Sequence, residues 1–309
     1  MRVLIVGGNG FIGSHLKDAF LASGLEVAVL DRLSERYRPA LEGVQAFLGD
    51  LADSTLAPRA LDGAEVVVYL SSTTVPQTSE DDPVNDIVAN LFPLLRFLGW
   101  ARRQGVRRLV FLSSGGMVYG PPSTLAVSET HPTQPIAAHG IVKLMMEKYI
   151  LAQAATSGAE AVVLRVSNVY GERQDPFGRF GAPATFLGCA ARRQPIVVWG
   201  DGETVRDYVY AKDIAQACLA AVTVQNARSV YNIGTGQGHS LKDLIGIIKN
   251  TIGDDHRLEI EWKARRSFDI PCIVLDSSLA RRELGWEPKT ALADGVRLTW
   301  EWVRTLPCP

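Results

Sequence analysis

Seven residues near the N-terminus limit the fold more than any other part of this 309-residue chain. Directly after the apolar run Val3 to Val6 comes GGNGFIG, which sets glycines at Gly7, Gly10 and Gly13, and a helical apolar period follows over about 11–22. Without Cβ atoms the backbone can approach a pyrophosphate closely, and the helix start offers unpaired N–H groups and the positive end of its dipole. Glycines also make tight turns for packing alone. Here, however, the loop follows a strand, opens a helix, and precedes Asp31 at the end of a second strand. Asp31 stands 21 residues after Gly10, the spacing at which a carboxylate accepts hydrogen bonds from ribose hydroxyls. The pattern predicts dinucleotide binding. Asp31 repels a 2′-phosphate and so favours NAD over NADP, while the neighbouring Arg32 argues weakly the other way.

The rest of the first half repeats the strand–helix alternation. Val27 to Leu30, Val66 to Leu70 and Leu109 to Leu112 read, like the first run, as strands apolar on both faces, the kind that parallel sheets bury between helices. Helical periods lie at about 84–103 and 140–157, and Ala161 to Leu164 continues the series as a sixth strand. This βαβα order predicts an α/β fold, a doubly wound parallel sheet. After Tyr170 the texture changes. GERQDPFGRFGAP is too long for an ordinary connection and reads as a functional loop or lid. Shorter mixed segments follow: PIVVWGDG, a strand-like RDYVY, a helix near 213–224, YNIG, and a helix near 241–252. We expect a dinucleotide-binding part over 1–170 and a smaller mixed α/β, mainly substrate-binding part over 171–309. The sixth strand and a later one are expected to return to the sheet.

Composition narrows the partners. Lys plus Arg is 32 and Asp plus Glu 33, so nothing in the overall charge calls for nucleic acid or an anionic membrane. A local basic pocket for one anionic small molecule remains compatible with that balance. The four cysteines, Cys189, Cys218, Cys272 and Cys308, are far apart and suggest neither a disulfide framework nor a metal site. A reducing cytoplasm is the simplest compartment. No uninterrupted apolar run is long enough to span a bilayer.

Together these segments resemble the nucleotide-sugar epimerase and dehydratase group of the extended short-chain dehydrogenase/reductases. The resemblance rests on the glycine loop, GDL at 49–51, YLSS at 69–72, LSSGGMVYG at 112–120 and GIVKLMMEKYI at 140–150. It continues through LRVSNVYG at 164–171, WGDGETVRDYVYAKDIA at 199–215, YNIGTG at 231–236 and LGWEPKTALADGV at 284–296. It implies a Rossmann fold and a cofactor site formed by Gly7, Asn9, Gly10, Phe11, Ile12, Gly13, Asp31, Arg32, Asp50, Leu51, Leu70, Ser71, Ser72, Asn90 and Lys143. Asp50 has a plainer reading as a turn residue.

In this group a Tyr-x-x-x-Lys pair works with a Ser or Thr at the end of the fifth strand. The Tyr takes a proton from a sugar hydroxyl, and the Lys holds the ribose and lowers the Tyr pKa. Lys143 matches the Lys, but the Tyr position is His139 and the Ser/Thr position is Gly115. A neutral imidazole can accept a proton, and neighbouring positive charge keeps it neutral. Its tip falls roughly 2 Å short of a phenol's, whereas proton transfer needs heavy atoms about 2.6–3.2 Å apart or one bridging water. A degenerate or altered site is the alternative. A histidine base also implies a rate that falls as pH drops through the ordinary histidine range. Ser114, with Ser113 one residue earlier, is the candidate hydroxyl; either could simply cap the strand end. Tyr208 and Lys212 repeat the catalytic spacing in the wrong part of the chain and are set aside.

Arg206 and Arg266 match the two arginines that bind the nucleotide diphosphate in similar epimerases, and Asn168 matches an Asn contacting the same group. Phe268 stands where the group usually has Gly. The dehydratases and decarboxylases of the group need acids where Gly116 and Met117 stand, which leaves hydride and proton transfer at one carbon, with 4-epimerisation leading. The expectation is an NAD-dependent nucleotide-sugar epimerase working through a 4-keto sugar, UDP being the nucleotide the resemblance favours. A family member that binds both ligands without turnover, or another nucleotide-sugar oxidoreductase, is the alternative. The resemblance also implies a homodimer formed through the helices near 84–103 and 140–157.

Overall fold

A computed structural model of the chain describes residues 1–178, 180–253, 258–266 and 268–307. The first half builds β1 (Arg2–Val6), β2 (Glu26–Asp31), β3 (Val44–Leu48), β4 (Val66–Tyr69), β5 (Arg108–Ser114) and β6 (Glu160–Val166). The second half adds β7 (Asn168–Tyr170), β8 (Ile196–Trp199), β9 (Val205–Tyr210), β10 (Val230–Ile233), β11 (Gly238–Ser240), β12 (Ile260–Lys263) and β13 (Cys272–Ile273). Seven of these form one sheet in the order β10-β6-β5-β4-β1-β2-β3, parallel throughout. β10 is the later strand that returns, pairing Val230 to Ile233 with Val163 to Val166.

The helices are α1 (Phe11–Ala22), α2 (Leu56–Leu61), α3 (Pro76–Asp81), α4 (Pro83–Asp86), α5 (Phe92–Arg103) and α6 (Ala138–Ser157), then α7 (Ala182–Arg192), α8 (Ala211–Thr223), α9 (Leu241–Ile252), α10 (Ser278–Leu284) and α11 (Leu292–Val303). Strand side chains alternate between faces, so each central strand feeds two cores. Val3, Ile5, Val27 and Val68 pack with Leu16 and Phe20 of α1 and Ile214 of α8. Leu4, Val6, Leu30 and Tyr69 pack on the other side with Ala57 of α2, Phe97 of α5 and Met146 of α6. The helix expected over 84–103 is real but not uniform: a π-helical turn, Ile87–Leu91, separates α4 from α5. Such a turn has a wider backbone ring and re-aims the side chains around it, here Asp86 and Asn90.

A third core, with Tyr170, Phe186, Tyr208, Leu244 and Trp300, unites α7, α9 and α11 with β9. β7, β11 and β13 all pair with β9, and β8 pairs with β12. The long segment after Tyr170 is tied down at its start. His15 of α1 bonds the Glu172 carbonyl through Nε2 at 2.9 Å, and Arg173 reaches Asp18 Oδ2 at 2.8 Å. Arg179 in that segment, and Cys308, lie outside the described residues.

Candidate active site

The chain runs from β1 to β2 and β3 on one side and then crosses to β4 on the other. In doubly wound sheets, ligands bind in the crevice at such a reversal, beyond the carboxyl ends of the strands. The glycine loop, Asp31, Leu70 and Ser114 all lie at those ends. Gly7 has φ +80°, and a Cβ on Gly13 would lie 2.5 Å from Gly8 Cα and 2.6 Å from the Gly7 carbonyl oxygen. Backbone cannot yield there, so only glycine lets α1 start so close to the loop.

The start of α1 is left open. Gly10 provides no side-chain cap, and among the described residues the amides of Phe11, Ile12 and Gly13 have no acceptor. At the start of α6, by contrast, Glu80 Oε1 accepts from Ala138 N at 2.5 Å. Unpaired amides at a positive dipole end suit a phosphate. Asp31 Oδ2 accepts from Asn9 N at 2.9 Å, and Oδ1 accepts from Leu33 N at 3.1 Å. Each carboxylate oxygen can accept a second bond, so Asp31 retains capacity for ribose hydroxyls. These features fit NAD. The group would lie along Gly7 to Gly13 with its adenosine ribose at Asp31; Arg32 is exposed beside it.

Sequence reading missed what holds this cradle. Lys17, nearly fully buried, donates to Asn9 Oδ1 at 2.8 Å and Glu35 Oε2 at 2.6 Å. Its signal was available, because lysine is scarce beside arginine, 8 against 24, and this one falls on the inner face of α1. Asp50 takes the turn geometry, Oδ1 accepting from Ala52 N at 2.7 Å, with Leu51 buried after it. The amide of Leu70 donates to the Val6 carbonyl at 2.9 Å, the Ser71 backbone lies against Gly7, and Ser72 Oγ donates to the Thr74 carbonyl at 3.3 Å. Asn90 has several partners of its own. It is buried, and its amide is committed to Thr73 N at 2.8 Å, Thr74 Oγ1 at 2.9 Å and Asp86 Oδ1 at 2.7 Å. It shapes the loop after β4.

His139, Lys143 and Glu147 follow one another at helical spacing on one face of α6. Lys143 lies over the Phe111 ring at 5.1 Å, with Nζ 3.5 Å from the Leu112 carbonyl oxygen, at the end of β5. Burial lowers its pKa to about 8 against the opposing pull of Asp86 and Glu147. His139 touches one side chain by hydrogen bond, Ser79 Oγ at 3.4 Å from Nδ1. Burial, reinforced by the Lys143 ammonium, lowers its pKa to about 4. The imidazole is therefore neutral throughout the physiological range. This corrects the expected pH behaviour: a rate limited by protonation of His139 stays level between about pH 5 and 7 and falls only nearer its midpoint.

At the strand end, Ser113 is not free, since its hydroxyl donates to Glu147 Oε1. Ser114 has no hydrogen bond to His139 among the described contacts, and its Oγ lies on the Gly116 side, as does Asn168 Oδ1. The missing hydroxyl at Gly115 has a packing cause: a Cβ there would meet Leu275 Cδ1 at 2.5 Å and the Arg165 carbonyl oxygen at 3.0 Å.

The diphosphate candidates converge. Arg266 pairs with Asp269 through two bonds, 2.9 and 2.8 Å, with its guanidinium over the rings of Trp199 and Phe268 at 5.5 and 5.0 Å. Phe268 thus supplies a cation–π face where glycine was expected. Arg206 donates to the carbonyls of Val205 and Ile270 at 2.9 and 2.7 Å and feels the charges of both Asp269 and Arg266. Asn168 Oδ1 is buried without a hydrogen-bond partner among the described residues. The Tyr208/Lys212 spacing stays out of the site: Tyr208 is in the third core and Lys212 pairs with Glu172 at 3.2 Å. Ser267, between the two motif arginines and Phe268, lies outside the described residues.

The profile of the NAD dependent epimerase/dehydratase family matches residues 3–234. The chain belongs to this family. UDP-glucose 4-epimerase of Mycolicibacterium smegmatis is 33% identical over 311 residues, covering 98% of this chain and 99% of that one. The UDP-glucose 4-epimerase of Thermotoga maritima, solved with UDP-glucose, superposes with a TM-score of 0.91 at 35% identity, over 98% of this chain and 99% of that one. The enzyme of Thermus thermophilus, solved with NAD, gives 0.91 at 35% identity over 99% of each chain.

Two histidines, His15 buried and His139 partly buried, set an acid limit on stability. His15, its pKa lowered to about 4 by burial and by Arg173, and His139, also about 4, are neutral when folded. An unfolded histidine protonates near 6.5, so between 6.5 and 4 protons favour the unfolded chain. Stability is fully present above about pH 6.5 and declines toward pH 4, by about 2 kcal/mol per histidine between pH 7 and 5. Carboxylates held low by their partners, Asp18 and Asp175, add their loss only at still lower pH. Urea melts at pH 7 and 5 test this, and His139→Phe should remove its share of the difference.

Proposed function

We propose that this chain is an NAD-dependent nucleotide-sugar epimerase that inverts C4 of a UDP-hexose, with His139 taking the proton for which its relatives use tyrosine. The observation carrying the reading is the pairing on α6: an imidazole kept neutral beside a lysine ammonium, at the open end of β5 and next to the glycine cradle. NAD held along Gly7 to Gly13 would supply reversible hydride transfer at the sugar carbon and would be regenerated in every cycle. The protein's part is positional and electrostatic. Arg206, Arg266 and Asn168 hold the diphosphate and leave the sugar to project toward α6. His139 Nε2, which has no protein partner among the described residues, takes the 4-hydroxyl proton as the 4-keto sugar forms and returns it after the sugar turns. Lys143 keeps the imidazole unprotonated beforehand and contacts the ribose. The shorter reach of imidazole is met by a deeper sugar or one bridging water.

The test is a panel of UDP- and dTDP-sugars offered to the natural protein and to His139→Tyr, with products followed by NMR. Epimerised sugar from the natural protein is expected. Turnover confined to the Tyr variant removes His139 as the base. Silence in both favours a family member that binds without turnover.

We also infer a cytoplasmic homodimer. No described helix is long and apolar enough to cross a membrane. Val84, Val88 and Phe92 are 70%, 49% and 52% exposed at successive turns of the α4–α5 segment, beside Ile141 and Tyr149 of α6 at 47% and 48%. An apolar stripe of this kind on adjacent helices suits a second copy of the chain. Sedimentation should find a dimer that Val88→Asp converts to monomer; an unchanged dimer would point to another surface.

A further inference from the structure

Two polar side chains outside the motifs approach His139 from the short helices α3 and α4. Ser79 is wholly buried on α3, and its Oγ, 3.4 Å from His139 Nδ1, has no other hydrogen bond among the described residues. Asp86 is 1% exposed at the end of α4. Its Oδ1 accepts from Thr74 Oγ1 and Asn90 Nδ2, each at 2.7 Å, while Oδ2 is buried with no hydrogen-bond partner among the described residues. A carboxylate oxygen left unpaired away from water is costly unless nearby positive charge answers it. The groups in its electrostatic reach are Lys143 and His139.

We propose that Ser79 and Asp86 are the positioning residues of His139: Ser79 Oγ accepts a hydrogen bond from Nδ1–H and so leaves the lone pair on Nε2, and Asp86 supplies the counter-charge for the imidazolium. The argument rests on the reading of His139 as the proton acceptor. When Nε2 takes the sugar hydroxyl proton, both ring nitrogens become donors. Ser79 Oγ is then the acceptor that Nδ1 needs, and the positive ring forms beside an ammonium with one buried anion to offset it. The other charged groups around His139 are few. Lys143 is on its own helix, Glu80 of α3 caps Ala138, and Glu147, two turns along, is tied to Ser113 and Arg165.

The experiment reads the histidine itself. Protein labelled with 15N-histidine is titrated by long-range 1H–15N NMR, with His139 assigned by its loss in His139→Phe. The Lys143→Met background is used, where the ammonium that lowers the His139 midpoint is removed and burial alone holds it down. Adding Asp86→Asn keeps Oδ1 for Thr74 and Asn90, and is expected to lower that midpoint by about one unit, a tenfold loss in proton affinity. Ser79→Ala, with the natural Lys143, is expected to shift the neutral ring toward the Nδ1-unprotonated form. With the natural Lys143, Asp86→Asn and Ser79→Ala should each lower kcat about tenfold with KM for the sugar nucleotide unchanged. An unmoved midpoint and unchanged tautomer overturn the proposal. Because the NMR readout needs no turnover, a shifted midpoint in a protein inactive on every sugar upholds the positioning pair while removing His139 as the base.

Discussion

Replacing Lys143 by methionine is expected to lower kcat for epimerisation by about 10²–10³-fold, the range seen when a preorganised charged donor is removed from an active site. Methionine matches the aliphatic stem, so the packing over Phe111 is kept and the ammonium alone is lost. Folding should not suffer, since burial already lowers the pKa of this amine to about 8, which marks its charged form as strained. The pH profile gives a second reading. In the natural enzyme activity should decline above about pH 8, where the ammonium is lost, and Lys143→Met should lack that alkaline limb. Steady-state rates with UDP-glucose from pH 5 to 9.5 test both statements. A kcat within threefold of the natural value would remove Lys143 from the mechanism.

The largest stability effect is expected at Glu147. This carboxylate is fully buried and receives two guanidinium nitrogens of Arg165, with Nη2–Oε2 at 2.7 Å, as well as the Ser113 hydroxyl. One side chain thus joins α6 to both β5 and β6. Glu147→Ala leaves Arg165 buried without its counter-charge, a loss of about 3–5 kcal/mol. In a chain this size that lowers Tm by on the order of 10 °C. Arg165 also bonds Tyr119 at 3.0 Å, so the damage should spread to the segment after β5. Calorimetry of Glu147→Ala and of a Glu147→Met/Arg165→Met pair separates the causes. The pair removes both charges together and should recover most of the loss. If the single and double variants melt alike, the unpaired arginine is not the reason.

Much of this was readable from local spacing. Alternating β-branched runs predicted the parallel sheet because strands buried on both faces must be apolar at every position. The glycine loop with Asp31 located the cofactor end because backbone approach and ribose recognition need those residue types at that spacing. Even the link from His139 through Lys143 to Glu147 is a helical period, visible once α6 is placed. The pairing of Arg206 with Arg266 was reachable only through resemblance, since sixty residues of intervening chain carry no local signal of their approach.

Residue order by itself determined the strand–helix alternation, the glycine loop with its following helix and the two departures at His139 and Gly115, all properties of neighbours a few positions apart. Only the tertiary structure decided what those departures mean. Leu275, far along the chain, fills the space a side chain at Gly115 would need. Burial together with Lys143 makes His139 neutral, and Asp86 and Ser79 come to it from separate short helices that precede a π-helical turn. Desolvation and electric fields depend on what packs around a group, and residues distant in sequence supply most of that surrounding.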